Sequence, residues 1–86
     1  MNMDTGYVYV LRSGKDGNRY IGSTNNLTKR IHQHNNGLVA STRHRRPLEL
    51  ETVLEFPNIQ EARMKERIFK KSRGSLEREI KIQHGT

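Results

Sequence analysis

Two runs rich in aromatic and β-branched residues, YVYVLRS at 7–13 and RYIGS at 19–23, are separated by GKDGN, which holds two glycines and an Asp-Gly pair. Such an arrangement specifies an antiparallel hairpin. Along the first run Tyr7, Tyr9 and Leu11 point one way and Val8 and Val10 the other. Both sides are apolar, so this strand needs cover on both faces. In a chain of 86 residues that leaves room for one small sheet with helices packed on it. Gly22, inside the returning strand, marks a bulge or a close backbone approach.

The rest of the chain supplies the missing parts. Thr24 or Asn25 is placed to cap a helix over about 26–35, with Gly37 as its left-handed terminator. A basic loop from Leu38 to Arg46 follows, closed by Pro47. LELETVLEF, 48–56, reads as a third strand, with a slip in alternation at Thr52 and Val53 that suggests a bulge. Asn58 caps a second helix over about 59–71, with Glu61 completing a capping-box-like pair. Ser72 to Gly74 interrupt it, and Ser75 can cap a short last helix, 76–82, whose tail is expected to fray. The fold class expected is α/β: a small sandwich with a three-stranded, mainly antiparallel sheet flanked by helices in the order β-β-α-β-α-α. Residues 1–86 are expected to form a single domain with its core over about 6–71.

The core must be small. Leu, Ile, Val and Phe number 19, just above the level at which disorder becomes the better reading. The regular patterns argue for folding. Without cysteine, neither a disulfide nor a thiolate zinc site can staple the chain. No apolar run approaches the roughly 20 residues of a membrane helix. The opening MNMDTG lacks the regions of a signal peptide, so the cytoplasm is the expected compartment. Sixteen Lys and Arg against nine Asp and Glu give a net charge of +7. That field attracts polyanions, nucleic acid first among them.

Several polar side chains stand where apolar ones belong. On the first helix Leu27, Arg30, Ile31 and His34 share a face. Leu27 and Ile31 anchor it, which leaves Arg30 and His34 along the edge of the buried stripe. Arg30 could simply lay its stem over apolar surface. On the second helix Ile59, Ala62, Glu66 and Phe69 share a stripe. Glu66 could simply pair with Lys70, four residues on, yet buried carboxylates are rare unless paired or bound to a metal. Tyr9 and Tyr20 lie on adjacent strands, where like-facing rings become neighbours. Two phenols, a guanidinium, an imidazole and a carboxylate thus come from different elements of a basic chain, a set suited to a phosphate and a metal.

These residues carry a resemblance. Tyr7-Val8-Tyr9, the intact Tyr20-Ile21-Gly22 eleven residues later, Arg30 ten residues after Tyr20, His34 one turn further and Glu66 on a later helix resemble the GIY-YIG nuclease superfamily. The string HNNG, Ser41-Thr42 and Arg46-Pro47 resembles its small, single-domain bacterial members. The ordered set covers roughly residues 6–71. The first motif departs in lacking its namesake glycine, whose place Tyr7 takes, and Ser23 stands where some relatives carry lysine.

The resemblance implies a divalent-metal-dependent endonuclease that hydrolyses phosphodiester bonds in DNA, with Mg2+ or Mn2+ as cofactor. Tyr9, Tyr20, Arg30, His34 and Glu66 are the implied catalytic residues, with Glu66 holding the ion. One carboxylate plus phosphate oxygens suffices for magnesium, which keeps several waters. Arg30 would neutralise phosphate charge. Tyr9 would take a proton from the attacking water, which requires nearby cations or the metal to favour its phenolate. Tyr20 and His34 would orient that water or relay its proton. Tyr7, Ser23, Asn35, Thr42, Arg43, Arg45 and Arg46 are expected to contact the nucleic acid, and Lys65, Arg67, Lys70, Lys71 and Arg73 either extend the positive surface or are merely solvated. Branched, single-stranded and duplex DNA all stay open as substrates, as do repair, recombination and mobile-element roles. No membrane is expected, and a homodimer or a partner protein stays open. The competing readings are a nucleic-acid-binding module that cuts poorly or not at all and, on charge alone, a structural partner in a ribonucleoprotein.

Overall fold

A computed structural model describes residues 4–85. Residues 1–3, which begin the segment read as lacking a signal peptide, and residue 86 lie outside it. Six elements follow the expected order: β1 (Gly6–Ser13), β2 (Arg19–Thr24), α1 (Leu27–Asn35), β3 (Leu48–Phe56), α2 (Ile59–Lys71) and α3 (Arg73–His84). A single 3-10 turn, Arg43–Arg45, interrupts the loop before β3. The strands form one antiparallel sheet in the order β2-β1-β3, so the hairpin's first strand is central and both its neighbours are edges.

The alternation of β1 divides the interior into two layers. Val8 and Val10, with Leu54 and Phe56 of β3, face Ala62, Phe69 and Leu76 of α2 and α3. Tyr9 and Leu11, with Leu48, face the other way, against Tyr20, Leu27 and Ile31. Each face is therefore covered by helix, as the two-sided apolar strand requires.

The structure moves several sequence expectations. The β3 bulge falls one residue before the slip at Thr52: Val10 pairs with Thr52 and Leu11 with Leu50, which leaves Glu51 as the extra residue. Arg12 and Arg19, reaching its carboxylate at 3.0 and 2.9 Å, hold it in that position. The α1 cap is Asn26, whose side chain accepts from the Lys29 N–H, while the Thr24 hydroxyl accepts from Asn26 and orients it. Gly37 ends this region at φ 75°, a conformation that costs glycine no steric strain. Ser72, not Ser75, caps α3, which runs on to His84. Its end is pinned rather than frayed. The Gln83 amide exchanges two hydrogen bonds, 2.7 and 2.9 Å, with the backbone of Glu55, and His84 Nε2 meets the Val53 carbonyl at 2.8 Å. Two side chains thereby cover part of the β3 edge, where unpaired backbone groups would invite another strand. Among the described residues no helix is long and apolar enough to cross a membrane.

Candidate active site

The constellation is built around Tyr9. Its ring stands on the central strand among neighbours that bury it almost completely. Its hydroxyl lies over Gly22, the residue opposite on β2. A Cβ at Gly22 would fall on that hydroxyl and 2.6 Å from Cζ. Gly22 therefore serves a close approach and not a bulge, since the β1–β2 register is unbroken. The phenol is met from α1 by two side chains one turn apart. Arg30 Nε donates to Tyr9 Oη at 3.4 Å, and His34 Nε2 lies 2.9 Å from the same oxygen. Tyr20 closes the group, its ring edge-on to His34 with centroids 5.0 Å apart and 6.3 Å from that of Tyr9.

His34 was expected at the edge of the stripe but is wholly buried. Its second nitrogen explains how. Nδ1 lies 2.7 Å from Thr42 Oγ1, and that hydroxyl in turn reaches the Val39 carbonyl at 3.5 Å. The direction of the chain follows from its ends. A carbonyl only accepts, so Thr42 donates to Val39 and accepts from Nδ1–H. Nε2 is then the bare nitrogen, and it accepts the Tyr9 O–H. From the other end, Arg30 Nε can only donate, which leaves the phenol hydrogen for His34. Thr42, expected on a DNA-contacting loop, is thus corrected: it is fully buried and fixes the imidazole tautomer.

Protonation follows burial. Desolvation pushes the Tyr9 phenol up to about 12, although the Arg30 hydrogen bond pulls the other way. Arg30 thus favours the phenolate, as expected, but burial outweighs it, and within the protein alone the phenol keeps its proton. Desolvation, with Arg30 nearby, pushes His34 down to about 4. The hydrogen bond to Tyr9 raises Arg30 further above its ordinary range, so the guanidinium is permanently charged.

Glu66 stands on α2, beside the β2 edge. Ser23, next to Gly22, donates its hydroxyl to Glu66 Oε1, and Lys70 Nζ sits 2.6 Å from Oε2. The carboxylate contributes to the field at Tyr9. The Lys70 pair weighed as the plain alternative for Glu66 thus exists, together with a partner on the strand that carries the constellation. Ser23, expected to contact nucleic acid, is engaged here as a carboxylate partner. Beside it opens a groove of about 480 Å3 lined by Ser23, Thr24, Lys29, Arg30, Gln33 and Arg63. Lys29 and Arg63 went unsingled in the sequence; their signal was adjacency to Arg30 and one turn's spacing from Glu66.

The other expected contact residues scatter. Tyr7 is half-buried, paired across to Thr24 and Glu55. The Asn35 side chain accepts from the Leu48 N–H, tying α1 to β3. Arg45 lies back over the hairpin, on the Arg19 carbonyl and Asp16. Arg46 turns its guanidinium toward Gly37 and donates to the Arg43 carbonyl, while the Arg43 side chain is exposed.

Among the described residues no three acids, histidines or cysteines cluster as a ready metal cage. The donor set still fits magnesium, which takes one or two carboxylates and fills its shell with water and substrate phosphate. Within the protein alone, Lys70 occupies one oxygen of that carboxylate.

Comparison with known proteins gives the family. The model of the GIY-YIG catalytic domain matches residues 5–82. A UPF0213 protein of Bacillus licheniformis is 44% identical over 82 residues, covering 93% of this chain and 84% of its own. One of Clostridium perfringens is 48% identical over 66 residues, covering 76% and 70%, and the UPF0213 protein YazA of Bacillus subtilis is 40% identical over 72 residues, covering 83% and 72%. No solved structure matches. The chain belongs to the GIY-YIG family, with its nuclease-type fold, and stands beside the small bacterial UPF0213 proteins.

Proposed function

We propose that the protein is a metal-dependent endonuclease that hydrolyses phosphodiester bonds in DNA. The observation that carries this reading is the convergence on one edge strand: Gly22 seats the Tyr9 hydroxyl while the adjacent Ser23 holds the Glu66 carboxylate. Arg30, the partner of Tyr9, and Ser23, the partner of Glu66, both line the cationic groove, where a phosphate would lie between them. GIY-YIG nucleases act on DNA, and the net charge of +7 favours such a partner.

In this reading Arg30 neutralises a non-bridging phosphate oxygen with its fixed charge. Lys29 and Arg63 hold the flanking backbone. A water between Tyr9 and the phosphorus gives its proton to Tyr9 Oη as the Tyr9 proton moves to His34 Nε2 along the 2.9 Å contact. The nascent hydroxide forms the new P–O bond, and the bond to the leaving 3′ oxygen breaks. His34 becomes imidazolium for the life of the step, with Nδ1–H anchored on Thr42, and gives the proton back through Tyr9 to solvent, while the leaving 3′ oxygen takes a proton from water to become the 3′ hydroxyl. Glu66 would hold Mg2+ or Mn2+, which supplies Lewis-acid stabilisation of the leaving oxygen when bound. Lys70 must release Oε2 for that to happen.

The test is a panel of single-stranded, duplex and branched DNA incubated with the purified protein and magnesium or manganese, against the same panel in EDTA. The proposal expects metal-dependent products carrying 5′ phosphates. A protein that binds the panel yet cuts none of it with either metal would be a binding module on the same scaffold.

A further inference from the structure

A second concavity lies on the other side of Glu66, at the Arg19 end of β2. It measures about 500 Å3, within the roughly 300–1,000 Å3 typical of ligand sites. Its walls differ in kind from those of the first groove. Half-buried Ile21 and Tyr20 lie over the buried Phe69 and Leu76, Asn18 adds a polar edge, and Lys70 and Arg73 stand at the rim. Lys70 also touches Glu66, so the cavity begins where the proposed catalytic carboxylate ends. Arg73, the first residue of α3, is exposed, whereas the neighbouring Arg19 is already engaged by Glu51 and Glu77.

A duplex backbone needs cations at the rim and nothing beneath them. Its bases are stacked inward and cannot reach the floor. A half-apolar floor with the Arg73 cation at its rim, beside the Glu66-paired Lys70, matches a nucleotide outside a helix, with its base against the floor and its phosphate on the rim. We infer that this cavity receives one unpaired nucleotide next to the phosphate held in the first groove, so that the protein prefers DNA carrying an unpaired base. Placement beside the scissile phosphate rests on the nuclease reading; the preference itself is a property of binding.

The preference can be measured by fluorescence anisotropy with the full chain in EDTA, where no cutting intervenes. The probes are a matched duplex, the same duplex with one unpaired adenine, and the same duplex with an abasic residue in place of that adenine. The unpaired adenine is expected to tighten binding roughly tenfold over the matched duplex, and the abasic residue to return it to the matched value. Arg73→Glu is expected to shrink the margin to about threefold or less, because the rim phosphate is lost. Equal affinity for matched and unpaired duplexes would overturn the inference. So would abasic DNA binding as tightly as the adenine form, or an undiminished margin in folded Arg73→Glu. The abasic comparison uses the unaltered protein and decides the matter whether or not the variant folds. A protein with this preference that never cuts would keep the cavity and lose only the nuclease reading.

Discussion

The two faces of one sheet have been put to different uses. Toward α2 and α3, Val8, Val10, Leu54 and Phe56 meet Ala62, Phe69 and Leu76, and that cluster is wholly apolar. Toward α1, the same central strand offers Tyr9 and Leu11, and the space a second apolar layer would fill holds His34, Thr42 and part of Arg30. No buried side-chain polar atom among the described residues lacks a partner, so the polar face is satisfied, but only as a chain in which each group fixes the next. The first face maximises transfer from water; the second gives up part of that gain to hold a phenol between a permanent cation and a neutral imidazole. Substitutions within the apolar cluster should therefore act on stability, and substitutions in the Tyr9 chain on chemistry.

Tyr9→Phe gives the largest expected contrast. Loss of the proton acceptor should slow DNA cleavage roughly 10³-fold, while the melting temperature moves by only a few degrees. Leu54→Ala, on the apolar face, should do the reverse. It should cost about 3 kcal/mol and lower the melting temperature by roughly 10–20 °C, with cleavage by the folded fraction unchanged. Calorimetry and single-turnover assays on the two variants would show whether the division holds.

Acid should sharpen the same contrast. His34 sits at about 4 in the folded protein against 6.5 when unfolded. Between these values the unfolded chain binds a proton the native one refuses. Stability is therefore full above about pH 6.5 and falls as pH drops toward 4, by about 3 kcal/mol as an order of magnitude. His34→Phe should flatten that part of the urea-denaturation profile. Thr42→Val should leave Nδ1–H without its acceptor, slow cleavage about tenfold and cost about 1–2 kcal/mol. The smallest effect expected is in metal binding: Lys70→Met should tighten Mn2+ binding to the free protein about threefold, read by electron paramagnetic resonance, because the competing ammonium is gone.

How much of this was legible in the sequence follows from the range of the forces involved. The hairpin, the three strands, α2 and its cap all follow from local pattern and turn chemistry, and the structure reproduces them. Tyr9, Tyr20, Arg30 and His34 were legible because fixed strand register and helical spacing bring them together. Glu66 could be singled out but not oriented, since its partner Ser23 lies 43 positions away. Thr42 was misread for the same reason. In sequence it is one polar residue of a basic loop; only the return of that loop over α1 makes it the acceptor for His34. The length of α3 was missed because Gln83 and His84 are stabilised by the β3 edge, not by anything in their own helix. The rise in the Tyr9 pKa depends on burial, which spacing alone does not report.

The proposal that Tyr9 and Glu66 serve one active site is tested most directly by single-turnover cleavage with Glu66→Gln, alongside DNA binding measured in EDTA. With magnesium, cleavage should fall at least about 10³-fold while affinity for DNA stays within about threefold of wild type. Magnesium-dependent cleavage at the wild-type rate by pure Glu66→Gln protein would contradict the assignment of this carboxylate, and with it the active site described.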